Sequence, residues 1–229
     1  MQNSMIKLLA LADGITLLNA VLGFTAIIML FSDEIRLFFS LILLALLADG
    51  LDGIVARKTK KGKIGEYLEA MADLISLSVA PMLFVYTIYA GSPGSYLFVL
   101  VIGLLIFFLI CSLIRLSSFH LMKEKTVFVG LPASASTIFI IGLTFLGVEL
   151  IYILAVIIIL SLAMVSPIHF PKPGVRINSV AMILISVTVL LGKLYQGIAP
   201  ILLMLALTVY VIGGPLYLQK RAGEKAGIK

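Results

Sequence analysis

Charge is what this chain has least of. Only 12% of its 229 residues are charged, 62% are hydrophobic, and the mean hydropathy is +1.21. Soluble domains lie nearer half apolar and a quarter charged, so a soluble globular fold is excluded. Polar intervals are scarce too: the longest gap between apolar runs is about ten residues. That leaves no room for a soluble appendage and assigns residues 1–229 to a single integral-membrane domain. The one cysteine, Cys111, cannot form an intrachain disulfide and reads as buried packing. The two histidines, His120 and His169, lack partners at metal-ligand spacing and read as interfacial polar residues. A polar patch with Asp13 and Asn19 accompanies the first apolar run and no small-residue cleavage site follows it, so no cleaved signal peptide is expected. Neither a transporter-like internal repeat nor a sustained GxxxG pattern is present.

What is there is a series of apolar runs, near 15–31, 36–57, 66–90, 95–119, 131–147, 149–165, 177–192 and 198–218. They predict an all-α, polytopic membrane bundle of about eight transmembrane helices, with residues 3–12 as a short interfacial segment. Between the fifth and sixth runs the break at Gly147 to Glu149 is short, and a single long bent hairpin is the alternative there. With eight spans, fifteen Lys and Arg fall on the side of the N-terminus and only Arg36 and Lys193 opposite. The positive-inside rule then places both termini in the cytoplasm of a multi-pass cell-membrane protein. The formal charge of +6 sits in short loops, where it sets topology, so nucleic acid is not an expected partner.

The informative acids lie within or against helices. Asp49 and Asp52 are three apart at the cytoplasmic end of the second run, and Glu69 and Asp73 are four apart at the start of the third. These spacings put each pair on one helical face, and the short loop between them makes the helices antiparallel neighbours. Four carboxylates can therefore converge. Uncompensated, they would repel one another and resist desolvation, so a positive partner is required. Oxygen-only ligands favour Mg2+, Mn2+ or Ca2+ over zinc. Pairing with Arg57, Lys58, Lys60, Lys61 and Lys63 is the structural alternative. Gly53 and Ala56 continue the acidic face with small side chains, Gly65 faces the same pocket, and Arg57 carries a donor fork suited to phosphate.

The run Asp49, Asp52, Gly53, Ala56, Arg57, then Gly65, Glu69, Asp73 resembles the signature of the CDP-alcohol phosphotransferase family, Asp-x2-Asp-Gly-x2-Ala-Arg, a loop, and Gly-x3-Asp-x3-Asp. It departs at one position, Glu69 for the third aspartate. The resemblance implies that an alcohol hydroxyl attacks the lipid-bearing phosphate of a CDP-activated lipid and releases CMP. It assigns Asp49, Asp52, Glu69 and Asp73 to divalent metal, Asp73 also to accepting the hydroxyl proton, and Gly53, Ala56, Arg57 and Gly65 to nucleotide and phosphate. It also suggests a homodimer, membrane lipid as surroundings and a cytoplasmic active site.

Further stretches resemble the phosphatidylserine and archaetidylserine synthase branch: Ala12 to Asn19, Leu74 to Pro81, Arg115 to Phe119, and Gly130 to Ala133. Ala70, Ser78 and Ser118 depart from that branch. Serine is thus the favoured acceptor, and Arg115 the expected partner of its carboxylate; snorkelling to the interface is the plainer role for that arginine. Inositol phosphate or glycerol phosphate as acceptor, a catalytically impaired relative, and a divalent-cation-binding membrane protein remain as alternatives.

Overall fold

The computed structural model describes residues 5–58, 62–119, 121–122, 127–172, 175–191 and 198–226, with side chains except at 56–58, 175–178, 191 and 219–226. Lys60, Lys61, His120, Lys123, Lys125 and Lys193 lie outside the described residues, as do the side chains of Ala56, Arg57, Lys58 and Arg176. Hydrocarbon offers no water to backbone groups, and a helix satisfies each N–H and C=O within its own segment. The fold is accordingly all-α, and among the described residues eight helical rods follow one another. They are α1 (Leu11–Phe31), α2 (Ile35–Lys58), a third rod from α3 (Gly65–Asp73) through a π-helical segment (Leu74–Val79) into α4 (Ala80–Tyr89), α5 (Tyr96–Ser118), α6 (Ala133–Phe145), α7 (Leu150–Val165), α8 (Val175–Leu191) and α9 (Ile198–Ala226).

Each expected span corresponds to one rod. Five contain apolar segments long enough to cross a membrane: Leu11–Phe31, Ile35–Val55, Gly65–Tyr89, Tyr96–Ser118 and Ile198–Leu218. Ala133–Phe145, Leu150–Val165 and Ser179–Leu190 are shorter. A 3-10 turn at Met5–Leu8, with Met5 and Ile6 exposed, takes the place of the expected interfacial segment. Packing divides the chain into two compact units, Met1–Leu109 and Ile110–Lys229.

In the first unit, α1 packs along α2, α3, the π segment and α4. Small residues permit the close approach that drives helix association in lipid, where apolar burial alone gains little. Ala12, Gly23 and Ala26 lie on the buried stripe of α1, and Ala45 and Ala48 on that of α2. At Gly23 the approach is closest: a Cβ there would stand 2.7 Å from Ser76 Cβ. Further along, Phe38 meets Phe84 with ring centroids 4.6 Å apart. Leu17, Leu18, Val21, Phe24, Ile28 and Phe31 point outward, as a lipid-facing surface requires. The turn between α1 and α2 places Asp33 at φ 58, a left-handed conformation that aspartate tolerates better than most residues.

The second unit holds two short strands, β1 (Val127–Val129) and β2 (His169–Pro171), paired antiparallel with Phe128 opposite Phe170. β1 precedes α6 and β2 follows α7, so their pairing brings the chain back to the level at which it entered α6. The α6–α7 pair is therefore an out-and-back hairpin of two helices, turned at Gly147 with φ +68. At this break the chain forms two helices joined by a turn, each shorter than the five long apolar segments. Gly130 is left-handed at φ +76, and a Cβ there would collide with the carbonyl oxygen of Met164. Its N–H donates to Ile168 O at 2.8 Å, locking β1 to the end of α7.

Candidate active site

Three helices of the first unit bring polar groups to one end. α2 supplies Asp49 and Asp52, α3 supplies Glu69 and Asp73, and α1 supplies Asp13, Thr16 and Asn19 at intervals of three. Thr16 Oγ1 lies 2.6 Å from Asp52 Oδ2 and donates to it; Asn19 Nδ2 donates to Asp73 Oδ1 at 2.9 Å. Both acceptors are buried, Asp52 at 5% exposure and Asp73 at 9%, and Asn19 is at 0%. One carboxylate of each motif helix is thus held by α1. The four motif carboxylates are Coulombic neighbours: Asp49 is repelled by Asp52 and Glu69, and Asp73 by the other three.

The loop entering α3 closes over the start of α1. Lys63 N–H donates to Leu8 O at 3.1 Å, and the backbone runs so near Asp13 that a Cβ at Gly62 would overlap its carboxylate and one at Gly65 would come within 2.6 Å. Asp13 itself accepts from Ala10 N–H at 2.7 Å, reaching back to cap α1. The resulting cleft is walled by Asp13 and Thr16, by Asp52 and Gly53, and by Gly62, Gly65 and Glu69. Gly53 and Gly65 both line this cleft, and the Asp13 carboxylate occupies the space beside the Gly65 backbone.

Directly after Asp73 the rod widens into the π segment Leu74–Val79, and Ser76 is the residue that meets Gly23. π segments insert an extra residue into a helical turn and recur at functional sites. Here it re-registers the rod between Asp73, which faces Asn19, and Ser76, which faces the same helix one turn further along.

The donor set suits a hard cation: carboxylate oxygens from two helices, mutually repelling, beside a cleft. Among the described residues, no three Asp, Glu, His or Cys side chains are grouped tightly enough to hold a metal ion as they stand. Asp52 and Asp73 are turned toward donors on α1. A further polar atom is unspent: Asn19 Oδ1 is buried with no hydrogen-bond partner, an arrangement that costs about 1–3 kcal/mol when nothing satisfies it.

Arg115 belongs to the second unit. It is buried near the end of α5, its Nε donates to Leu131 O at 3.2 Å, and its guanidinium stands 5.3 Å from the Phe119 ring centroid. It is thus fixed by protein contacts instead of reaching freely toward the membrane surface. Nearby groups belong to the same framework: Tyr210 donates to Pro171 O at 3.1 Å, and Lys172 Nζ lies 5.0 Å from the Phe128 ring centroid. Ala56 and Arg57 continue α2 beyond Gly53; their side chains are outside the described residues.

Thr16 and Asn19 are site residues that spacing alone could have raised, since three polar residues at intervals of three within an apolar run share one helical face.

A family model described as CDP-alcohol phosphatidyltransferase matches residues 9–165, a range that holds α1 and both motif helices. The chain belongs to that family. Its members' description implies a CDP-activated lipid as donor and an alcohol as acceptor, and the chain is a membrane transferase of this kind. It is 31% identical over 209 residues to a CDP-diacylglycerol–serine O-phosphatidyltransferase of Methanocaldococcus jannaschii, covering 91% of this chain and 94% of that one. It is 32% identical over 169 residues to an archaetidylserine synthase of Methanothermobacter thermautotrophicus, covering 72% and 70%. A CDP-diacylglycerol–serine O-phosphatidyltransferase of Saccharomyces cerevisiae is 30% identical over 161 residues, 62% of this chain and 56% of the relative.

Proposed function

We propose that this phosphatidyltransferase moves the phosphatidyl-type group of a CDP-activated lipid to the hydroxyl of L-serine, in phospholipid biosynthesis. The serine oxygen attacks the lipid-bearing phosphorus, forming a new P–O bond. The bond from that phosphorus to the bridging oxygen breaks, and CMP leaves with the electron pair. The observation that supports the reading is that Asp49, Asp52, Glu69 and Asp73 are electrostatic neighbours on two adjacent helices, with Asp52 and Glu69 lining a cleft beside Gly53 and Gly65, in a chain whose relatives bear serine phosphatidyltransferase names.

Asp49, Asp52, Glu69 and Asp73 would hold one or two divalent ions, Mg2+ or Mn2+ with Ca2+ a weaker candidate. A bound ion there would offset the pyrophosphate charge and stabilise the leaving group. Asp73 takes the proton of the serine hydroxyl, the contribution of a positioned general base. Gly53 and Gly65 admit the nucleotide to the backbone; Ala56 and Arg57, next along α2, complete the nucleotide and phosphate contacts. Arg115 offers its remaining guanidinium N–H groups to the serine carboxylate. Orientation and charge neutralisation do most of the work, as in other phosphoryl transfers. The distribution of Lys and Arg supports both termini and the cleft on the cytoplasmic face, and the family resemblance supports a homodimer.

The test is CMP release by purified protein given a CDP-activated lipid, Mg2+ or Mn2+, and a panel of alcohols. Release with serine is expected. Release with inositol phosphate or glycerol phosphate but not serine would move the acceptor assignment and leave the family untouched. No release with any alcohol, with metal still bound, would favour a catalytically impaired relative, for which Glu69 is the position that speaks.

A further inference from the structure

We infer that Asn19 is a positioning residue for Asp73, and that the π segment Leu74–Val79 seats α1 so that it can be. The inference rests on the reading of Asp73 as proton acceptor and deepens it by naming what aims that carboxylate. Asn19 is fully buried, and its Nδ2 donates to Asp73 Oδ1 at 2.9 Å. The amide has only one useful orientation here, because turned over it would set its carbonyl oxygen against a carboxylate oxygen. One Asp73 oxygen is thereby committed to α1, and Oδ2 is the atom left for the acceptor hydroxyl.

The contact needs α1 and the third rod to lie unusually close. Four residues along α1 from Asn19, Gly23 faces Ser76, three residues beyond Asp73, and a Cβ at Gly23 would stand 2.8 Å from Ser76 Cα. Ser76 lies inside the π segment, is fully buried and donates its hydroxyl to Ala72 O at 3.2 Å. Gly23 and Ser76 form the seat, and Asn19 and Asp73 the aim. Asn19 Oδ1 is buried without a hydrogen-bond partner, so the contact of the amide with Asp73 is made through Nδ2.

Steady-state kinetics of Asn19→Ala, Asn19→Ser and Asp73→Asn test this, together with CDP affinity and thermal melting of each variant. Asn19→Ala should lower kcat about 10- to 100-fold, the usual effect of removing a group that orients an active ligand or base. KM for serine and CDP affinity should stay within about threefold, since such a loss falls on the transition state. Asn19→Ser, which keeps a donor, should recover part of kcat, and Gly23→Ala should lower kcat with the same unchanged KM. If Asn19→Ala keeps kcat within twofold, or if CDP affinity falls as far as kcat, the inference is overturned. Should Asn19→Ala fail to fold, Asn19→Ser and Gly23→Ala decide by the same split. If Asp73→Asn retains turnover, the reading of Asp73 itself fails, whatever the Asn19 variants do.

Discussion

Thr16 of α1 donates to Asp52 of α2 across 2.6 Å, inside a helix pair, with Asp52 95% removed from the surface. A hydroxyl at this distance fixes which way the carboxylate points. Thr16 thus serves Asp52 as Asn19 serves Asp73, and the two share one face of α1.

The Thr16 contact predicts a metal phenotype. Thr16→Val keeps the shape and removes the donor, so the protein should fold while the Mg2+ or Mn2+ concentration for half-maximal activity rises about tenfold or more, as outer-shell losses do at metal sites. Metal titration of activity, paired with Mn2+ binding followed by electron paramagnetic resonance, checks it. Unchanged metal dependence would remove Asp52 or its hydroxyl partner from the site.

Glu69 stands where the signature that the motif resembles has an aspartate. As a ligand it should tolerate Glu69→Asp, with activity within about threefold, whereas Glu69→Gln should weaken metal activation by about tenfold or more, because an amide carries no charge to the cation. The same metal titration reads both. If Glu69→Gln is silent, the third carboxylate of the signature has lost its role here.

The close approach at Gly23 sets a stability prediction. Gly23→Val adds branched volume against Ser76 backbone, and overpacking of a tight interface costs about 1–3 kcal/mol. Melting in detergent should fall accordingly. An unchanged melting temperature would mean that α1 and the π segment separate readily.

The proposed acceptor role of Arg115 is separable from its contact with Leu131 O. Arg115→Ala should raise KM for serine about tenfold or more while CDP affinity holds, if the guanidinium meets the acceptor carboxylate. If serine KM is unchanged and melting alone falls, Arg115 serves only to clamp Leu131 O.

Much of this was legible in the residues, and the reasons are physical. Eight apolar runs gave eight rods because span length is set by the bilayer and the breaks by Gly, Pro and charge. Asp49, Asp52, Glu69 and Asp73 stood out because spacings of three and four have one helical meaning. What stayed hidden has causes as well. An apolar-run criterion starts the first span at 15, yet the helix begins at Leu11 and takes Asp13 inside, capping its own end through Ala10. Thr16 and Asn19 then look like polar residues near a membrane surface until α2 and α3 are placed against them. The π segment is six residues long, too short to show a period of its own in the sequence. β1 and β2 are three residues each, below what alternation can reveal, and Gly130 just after β1 is left-handed against Met164.

The most direct measurement of the central claim sets turnover beside nucleotide binding in Asp73→Asn. CMP release from a CDP-activated lipid with serine should fall about 100-fold or more, the scale of a lost general base, while CDP binding in the presence of Mn2+ stays within about threefold. Turnover near that of the unaltered protein would contradict the claim that Asp73 accepts the serine proton.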